Sequence, residues 1–414
     1  MDTPHTLTHT PNFSARMLGL AAVGLAALTL SACGGGGGGD GSSVGTLKLA
    51  MTDAPSCGYD HVYVTVTKIR VHQSATASDS DAGWSEMVIP AQRLDLLQLN
   101  NGVLQELGSM PLPAGRYQQV RLVLADNPAN PTSANPLANA LVPSGSSTEI
   151  ALSTPSGQQS GYKLQANFEV TGGQLADMVL DFDACRSIVQ AGNSGRYNLK
   201  PVVAVIKRLT TAIVGYVNPA QATGVTVSTR DPDNHLRVVA PDPVTGRFML
   251  AYLPESTSYT VVVAGQNLTT AAVTGVPVSL AAGTTAINPP ANPITVPSTS
   301  VATVSGSVTS SLGAPLTDAW VSARQVLSGG PAIDVAWTAV DPASAAYRLS
   351  LPLAAPLRAS YNAGAALSFS PDNAAAGAYT VLGSAVGYTS QSPAGAVQLS
   401  TPNSVNTLNL TLQP

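Results

Sequence analysis

The sequence predicts an all-β protein made of three tandem β-domains. Val, Thr, Ser, Gly and Pro are abundant while Glu and Lys are scarce, a composition that favours strands over long helices. The stretch from Val62 to Thr67 alternates apolar and polar residues, as a strand with one buried face does. Two later parts of the chain repeat the same order of short apolar runs. Together these patterns predict one β-domain followed by two related β-sandwiches.

Changes in composition divide the chain into segments. We expect a leader peptide, a short glycine-rich tether, a first β-domain, a second β-domain, a stiff Pro-rich linker and a third β-domain. Their predicted boundaries are 1–32, 33–44, 45–209, 210–288, 289–300 and 301–414.

The leader has the pattern of an export signal. A polar start ends at Arg16, and the uncharged apolar run from Met17 to Leu30 is shorter than the about 20 residues that a membrane-spanning helix needs. The following Leu-Ser-Ala-Cys33 resembles the lipobox of bacterial lipoproteins. That resemblance implies cleavage before Cys33 and attachment of a diacylglyceryl group to its thiol. The alternative is an ordinary secretory signal that happens to contain a cysteine.

The tether begins with six glycines, Gly34 to Gly39, and cannot bury apolar surface. A random coil of this length spans roughly 20 Å. We therefore expect a folded protein held just clear of lipid headgroups. By the same resemblance to lipoproteins, Gly34 in place of Asp after the cysteine implies the outer membrane.

Two further cysteines, Cys57 and Cys185, remain after export. We expect them to form a disulfide because the compartment is oxidising. Such a long closed loop would stabilise the fold by about 4–5 kcal/mol in the chain-entropy model. The alternative is two separate buried thiols.

The first domain contains several predicted strands and one predicted irregularity. The apolar face set by Val62 slips at Lys68 and continues with Ile69, which predicts a β-bulge. The Asn- and Pro-rich stretch 126–143 predicts a long loop. The apolar run 199–206 predicts a strand that closes the domain.

Five motifs of this domain stand out. They are GTLKLAMTDAP (Gly45–Pro55), VYVTVTKIRVH (Val62–His72), RLDLLQLNNG (Arg93–Gly102), LPAGRYQQVRLVL (Leu112–Leu124) and DFDACRSIV (Asp181–Val189). In this order they resemble a bacterial lipoprotein family that is described only as a domain of unknown function. The resemblance implies a lipobox and a β-fold, and it implies no activity.

Four carboxylates are the candidate metal ligands. Asp181 and Asp183 are spaced to share one face of a strand, and a disulfide would draw Asp53 and Asp60 towards them. Hard oxygen ligands gathered in this way would suit Ca²⁺. The alternative is that the carboxylates cap loop amides or pair with Arg186 and Lys200. No calcium-loop spacing is present, and the sequence indicates no other cofactor.

The two C-terminal units repeat the same short segments. The segments IVGYV, GRFML and SYTVVV of the first unit correspond to VSGSV, YRL and AYTV of the second. This order resembles the carboxypeptidase regulatory-type β-sandwich, a seven-stranded transthyretin-like or carbohydrate-binding-like module, although Ala346 replaces the usual glycine in the second unit. The second unit carries an insertion around 354–376. Such modules serve as spacers, stabilisers or binding surfaces. Related pilin modules form isopeptide bonds through a lysine, and no lysine follows Lys207.

Catalysis finds little support. The one G-x-S-x-G match, Gly41 to Gly45, follows a glycine tether rather than the strand that a nucleophile elbow needs. The chain has no HExxH and no Gly-rich phosphate loop. A paired-carboxylate glycosidase using Asp181 and Asp183 lacks an obvious pocket. A hydrolase with an unrecognised site is the less favoured alternative.

Binding would use exposed aromatic residues. Trp84 and Trp337 lie beside polar segments and are the candidate sugar-stacking residues, whereas Trp320 is expected in the core. The net charge of −4 offers no basic field for nucleic acid. We therefore expect a non-enzymatic, outer-membrane-anchored protein that acts as a binding or structural module. Its partner would be a glycan or another envelope protein, and the alternative function is that of a carbohydrate-binding or adhesive surface protein.

Overall fold

The computed structural model describes most of the chain and shows an all-β protein, as the sequence predicts. Among these residues no helix is both long and apolar enough to cross a membrane. The predicted leader, Cys33 and Cys57 lie outside the described residues, which are 43–53, 58–154, 157–191, 194–313, 316 and 318–414.

The first domain is built from two sheets. One has the strand order β12-β9-β1-β4, and the other has the order β10-β11-β7-β6-β2-β5-β8 with β3 paired to β2. A four-residue helix, α1 (Ala184–Ser187), follows β9, and a 3₁₀ turn, Leu96–Leu99, follows β3. The strands are β1 (Val44–Asp53), β2 (Tyr59–His72), β3 (Ser85–Asp95), β4 (Gln105–Pro113), β5 (Gly115–Leu124), β6 (Ala140–Pro143), β7 (Ile150–Ser153), β8 (Tyr162–Val170), β9 (Leu175–Phe182), β10 (Ile188–Gln190), β11 (Tyr197–Leu199) and β12 (Val203–Lys207).

Both sheets of the first domain contribute to one apolar core. Leu49 from β1, Val64 from β2 and Leu180 from β9 are all fully buried in it. The register of β2 against β3 and β5 shifts between Val66 and Lys68, which confirms the predicted bulge.

The second domain has a small and a large sheet around its own core. Its strands are β13 (Ala212–Tyr216), β14 (Val225–Arg230), β15 (Leu236–Val239), β16 (Arg247–Ala251), β17 (Ser256–Gly265), β18 (Ala271–Val278) and β19 (Thr284–Ala286), with a 3₁₀ helix at Pro219–Gly224. The small sheet has the order β16-β13-β19.

The third domain has two four-stranded sheets. Its strands are β20 (Val301–Ser310), β21 (Trp320–Val326), β22 (Ala332–Ala339), β23 (Ala346–Pro352), β24 (Leu357–Ser360), β25 (Ser370–Pro371), β26 (Ala378–Ser384), β27 (Val397–Gln398), β28 (Val405–Thr407) and β29 (Leu410–Leu412), with a 3₁₀ turn at Asn373–Ala375. One sheet has the order β23-β20-β28 with β29 also on β20, and the other has the order β22-β21-β26-β27.

The insertion predicted in the third domain completes the sheet of the second. Its strand β24 pairs in parallel with β18, so that the large sheet of the second domain has the order β15-β14-β17-β18-β24-β25. Leu357, Leu367 and Phe369 of the insertion pack against the core of the second domain. The second and third domains therefore share a continuous sheet.

The same tyrosine hydrogen bond occurs in the second and in the third domain. The Tyr259 hydroxyl donates to the carbonyl oxygen of Pro254 at 2.8 Å, five residues earlier. The Tyr379 hydroxyl donates to the carbonyl oxygen of Pro352 at 2.6 Å, although 27 residues separate the two. In the third domain, the insertion thus lies in the chain between the two partners of a hydrogen bond that both domains have. Burial raises the pKa of both tyrosines, in keeping with neutral hydroxyl donors.

The segment 289–300, predicted as a stiff linker, packs onto the second domain instead. Ile294 and Val296 are buried in its core. The Ile294 amide donates to the Tyr216 carbonyl oxygen at 2.8 Å, and the Val296 amide donates to the Gln221 side chain at 3.1 Å. Apolar residues between the prolines hold the segment against the domain, which the count of prolines alone does not reveal.

The two related domains also share a turn before their central strands. The turn runs from Asp242 to Gly246 in the second domain and from Asp341 to Ala345 in the third, and each aspartate accepts hydrogen bonds from backbone amides of its turn. Gly246 has φ +70° and Ala345 has φ +57°. The glycine is therefore replaced at Ala345, not at Ala346 as the sequence comparison of the two units predicts.

We expect the Ala345→Gly variant to be more stable than the wild type. A non-glycine residue in the left-handed region costs about 1–2 kcal/mol, partly offset by the entropy of the glycine in the unfolded chain. The net gain should be about 0.5–1 kcal/mol in urea unfolding. The control is Ala343→Gly, in the same turn at an exposed position without positive φ. An equal effect of both substitutions would contradict the assignment of strain to Ala345.

Candidate functional site at the junction of the domains

Three of the motifs that carry the family resemblance meet at one end of the first domain. Thr52, from the motif TDAP, directs its hydroxyl to the carbonyl oxygens of Leu99 and Val103, at 2.8 and 2.9 Å. These two carbonyls flank the turn Asn100–Gly102, from the motif RLDLLQLNNG. A single buried side chain therefore fixes both ends of the turn.

The third motif, DFDACRSIV, is attached to the same strand end. Asp53 is buried, and one of its carboxylate oxygens accepts a hydrogen bond from the Ala184 amide at 3.0 Å. Asp183 caps α1 by accepting from the Arg186 amide at 2.9 Å, and it pairs with the Arg186 guanidinium at 2.6 Å. Both carboxylates thus hold α1 in place beside β1. Cys185 lies in this helix and is half-buried.

The turn Asn100–Gly102 docks on the second domain through polar contacts. Both asparagine side chains donate to the Ala240 carbonyl oxygen, at 3.0 Å from Asn100 and 2.8 Å from Asn101. The Asn101 side chain also accepts from the Met249 amide at 3.0 Å. The Tyr252 hydroxyl donates to the Gly102 carbonyl oxygen at 2.6 Å. The turn therefore satisfies backbone groups of the second domain that would otherwise be buried without partners.

The docking turn needs an unusual backbone. Asn101 has φ +56° and Gly102 has φ +82°, values that asparagine and glycine tolerate best. A Cβ atom at Gly102 would lie 3.2 Å from the Cβ atom of Ala251. The Asn-Asn-Gly sequence is a recognisable turn signal, but the sequence does not reveal that a second domain lies against it.

A buried ion pair joins the same two domains. The Nε atom of Arg237 on β15 lies 2.9 Å from a carboxylate oxygen of Asp181 on β9, and the two side chains are only 6% and 13% exposed. Arg237 also donates to the Ala251 carbonyl oxygen at 3.2 Å. Burial raises the pKa of the Asp181 carboxyl, and the positive charge of Arg237 opposes that rise. Arg237 is a site residue that the sequence patterns missed.

The cavity at this junction is small. Thr52, Asp53, Gly102 and Asp181 line it together with Arg237 and other residues of the second domain, and its volume is about 20 Å³. A cavity needs roughly 10–15 Å³ to hold one water molecule, so this one has no room for an organic substrate. The chemistry of the junction is therefore that of docking between domains.

The four candidate metal ligands do not form one site. Asp181 pairs with Arg237, and Asp183 pairs with Arg186. Asp60 is exposed and accepts from the Gly145 amide at 3.0 Å. The alternative use of these carboxylates, as caps and ion-pair partners, is thus the one observed. Lys200 does not take part, since the acidic charges acting on it are those of Asp318 and Asp341 in the third domain.

Another group could hold a metal ion. Among the described residues, Asp231, Asp233 and His235 offer ligand atoms that lie within 4.8 Å of one another. Asp231 accepts from the backbone amide of His235 at 2.8 Å and faces its Nδ1 atom at 3.2 Å. This contact raises the pKa of His235; burial works against ionisation of Asp231, but the hydrogen bonds from His235 lower its pKa. The loop is held by its own hydrogen bonds, and no further feature points to an ion there.

Trp84 is already engaged by protein groups. The guanidinium carbons of Arg70 and Arg121 lie over its ring, 4.6 and 4.8 Å from the centroid, and His72 packs at 5.0 Å. Its indole N–H donates to the Ser78 carbonyl oxygen at 2.9 Å. A sugar would have to displace these cations from the ring.

Trp337 and Trp320 lie on the same outer face of the third domain. In the register of β21 with β22, Trp337 is opposite Ser322 and Trp320 is opposite Ala339, whereas the neighbouring Val321 is fully buried. Residues directly opposite on antiparallel strands share a face, so both tryptophans point away from the core. Both are half-buried. The expectation that Trp320 belongs to the core was wrong.

We expect Gly102→Val to loosen the junction. A β-branched residue at φ +82° costs about 1–3 kcal/mol in strain, and its side chain would also push Ala251 away. The matched control is Gly145→Val, because Gly145 has φ +77° but no atom lies within 4 Å of the position that an added Cβ atom would take. Urea unfolding should show a larger loss for Gly102→Val. X-ray scattering should show an increased radius of gyration for that variant alone, and equal behaviour of the two would contradict the docking role.

We expect no calcium binding at Asp53, Asp60, Asp181 and Asp183. Two of these carboxylates are neutralised by arginines, and hydrogen bonds to backbone amides hold the other two in separate places. Calorimetric titration with Ca²⁺ should give no binding heat, and the melting temperature should not change. A rise in melting temperature that Asp181→Asn removes would reinstate the calcium hypothesis.

Comparison with known proteins adds a family match for part of the chain. No curated protein sequence matches it. The Bacillus anthracis TIE protein is similar at 10% identity over 90% of this chain and 51% of that protein, with a TM-score of 0.19. The streptococcal ancillary pilin is similar at 10% identity over 89% and 99%, with a TM-score of 0.17. The Corynebacterium diphtheriae major pilin SpaA is similar at 9% identity over 89% and 100%, with a TM-score of 0.19.

These structural likenesses are too weak to support an argument about function. The chain also spans only about half the length of the Bacillus anthracis protein, at 51%. The family comparison is more specific, because residues 44–201 match the profile of the domain of unknown function DUF4382. The predicted resemblance of the first domain to a domain of unknown function is thereby confirmed, and the first β-domain of this chain is a match to DUF4382.

Proposed function

We propose that the protein is a non-enzymatic cell-envelope lipoprotein, anchored in the outer membrane through Cys33. Its three β-domains would act as one stiff structural or binding module at the end of the glycine-rich tether. The observation that carries this proposal is that ion pairs join the second domain to both others and that the first domain also lies against the third. A chain that needed independent domains would not require such contacts.

The second and third domains are coupled by charge as well as by the shared sheet. Asp334, on β22, is buried and lies 2.6 Å from Arg230 of the second domain and 2.9 Å from Arg324 of its own. Burial opposes ionisation of Asp334, but the hydrogen bonds and charges of the two arginines outweigh it and lower the pKa of this carboxyl. Asp334 is therefore ionised at neutral pH and bridges the two domains.

The first domain also reaches the third. Helix α1 lies against β22, and Lys200 lies within the electrostatic field of Asp318 and Asp341. The Asp181–Arg237 pair joins the first and second domains, and the Asp334–Arg230 pair joins the second and third. Each of the three domains therefore lies against both others. This arrangement supports one module made of the three β-domains rather than a row of independent domains.

Each of the three described histidines is hydrogen-bonded within the fold. His61 is hydrogen-bonded to Asp95 at 2.6 Å, and His235 faces Asp231 at 3.2 Å. His72 accepts from the Ser74 amide at 2.8 Å through Nδ1. The last two residues of the G-x-S-x-G match, Val44 and Gly45, lie in strand β1, whereas a nucleophile elbow leads into a helix. None of these described histidines lines the cavity at the domain junction, so the cavity does not bring them to a substrate.

The anchoring test compares the wild type with Cys33→Ser. We expect the wild type in the membrane fraction with the mass of a lipidated, processed chain, and we expect Cys33→Ser to lack both the lipid and the cleavage. Cys185→Ser is the control and should keep the lipid. A wild type recovered without lipid would contradict the proposal. Protease accessibility of the third domain on intact cells would then distinguish surface exposure from a periplasm-facing position.

A further inference from the structure

The first domain contains a second, larger cavity, which shares no lining residue with the one at the junction. It is an open cleft of about 480 Å³, lined by β7, β11 and the start of the loop after β5. This volume lies within the range of about 300–1,000 Å³ that is usual for small-molecule sites. The lining residues with polar or aromatic side chains include Asp126, Asn127, Ser153, Gln158, Arg196 and Tyr197.

Two hydrogen-bonded asparagines, the half-buried Asn127 and the buried Asn139 behind it, fix one wall of the cleft. Asn139 is fully buried, and its amide donates to the Asn127 side chain at 2.7 Å. The Asn127 side chain in turn donates to the carbonyl oxygens of Asn139 and Leu152, at 3.0 and 3.2 Å. Asn139 also donates to the Ala125 carbonyl oxygen at 2.7 Å. The loop is thus fixed across the end of β7, and the cleft is formed before any ligand arrives.

One acidic and one basic side chain, Asp126 and Arg196, line the cleft and are available to a ligand. Asp126 and Arg196 both reach solvent, and neither side chain forms an ion pair or hydrogen bond within the described parts of the chain. Gln158 uses its amide nitrogen to donate to Thr154 at 2.7 Å, which leaves its carbonyl oxygen as an acceptor. Tyr197 adds a half-buried ring, held edge-on by Tyr59 at 6.1 Å.

We propose that this cleft binds a neutral saccharide. Sugar hydroxyls would donate to the Asp126 carboxylate and accept from the Arg196 guanidinium, both strong hydrogen-bonding groups when charged. The carbon–hydrogen face of the sugar ring would pack on Tyr197, an aromatic ring with a polar tip. The balance of one negative and one positive charge disfavours a ligand with net charge. An apolar ligand would bury both charges without partners, which is costly.

This proposal goes beyond the anchored structural module and does not depend on the lipid at Cys33. It also transfers sugar binding from Trp84 and Trp337 to another part of the molecule. Neither tryptophan lines the cleft. A zwitterionic amino acid, with its ammonium group on Asp126 and its carboxylate on Arg196, is the competing ligand class and is separated by the test.

The test uses the full chain on an array of monosaccharides and oligosaccharides, followed by calorimetry with the sugar that binds best. Asp126→Asn and Arg196→Ala should each weaken binding about tenfold or more, because each removes a hydrogen bond to a charged group. Glu169→Gln and Arg247→Ala are the matched controls, since both residues are exposed and lie outside the cleft. The controls should bind as the wild type does.

Three results would overturn the proposal. The first is the absence of binding across the array, and the second is binding that both cleft substitutions leave unchanged. The third is binding of free amino acids, but not of sugars, that Asp126→Asn and Arg196→Ala abolish. Both cleft substitutions replace solvent-accessible side chains, so we expect both variants to fold. Unchanged melting temperatures would show that they do.

Discussion

The arrangement of the first two domains depends on polar groups that are buried between them and have partners across the boundary. The Asp181–Arg237 ion pair has one member in each domain. Removing one partner from a buried pair costs about 3–5 kcal/mol, because the other charge is left without compensation. The Asn100–Gly102 turn adds hydrogen bonds to the Ala240 carbonyl and the Met249 amide. These directional polar contacts therefore fix how the second domain is oriented on the first, in addition to the burial of apolar surface.

The second and third domains show how one β-sandwich pattern accommodates a long insertion. The Tyr259–Pro254 and Tyr379–Pro352 hydrogen bonds are equivalent, and the inserted residues lie between the members of the second pair. The insertion packs outward on the neighbouring domain and leaves the shared contact intact. Because β24 belongs to the insertion and pairs with β18 of the second domain, the insertion connects the two domains.

The sequence predicts the class of fold and many local features, because these follow from short-range patterns. The alternation around Val64 predicts strand β2, and the phase slip at Lys68 predicts its bulge. The site is much less predictable, because it depends on contacts between residues distant in the chain. Nothing in the sequence around Asp181 indicates that its partner is the Arg237 guanidinium rather than a metal ion. The pairing of Cys57 with Cys185 remains a prediction, since Cys57 lies outside the described residues.

The exchange of strand β24 also bears on the order in which the chain folds. Strand β18 ends at Val278, but the neighbour that completes its sheet begins only at Leu357. During synthesis, one edge of β18 in the second domain therefore stays unpaired until a long stretch of later sequence has been made. Open edges invite pairing with other chains. A chain that stops before Leu357 would keep that edge exposed, so delivery of the complete chain is itself a safeguard against aggregation.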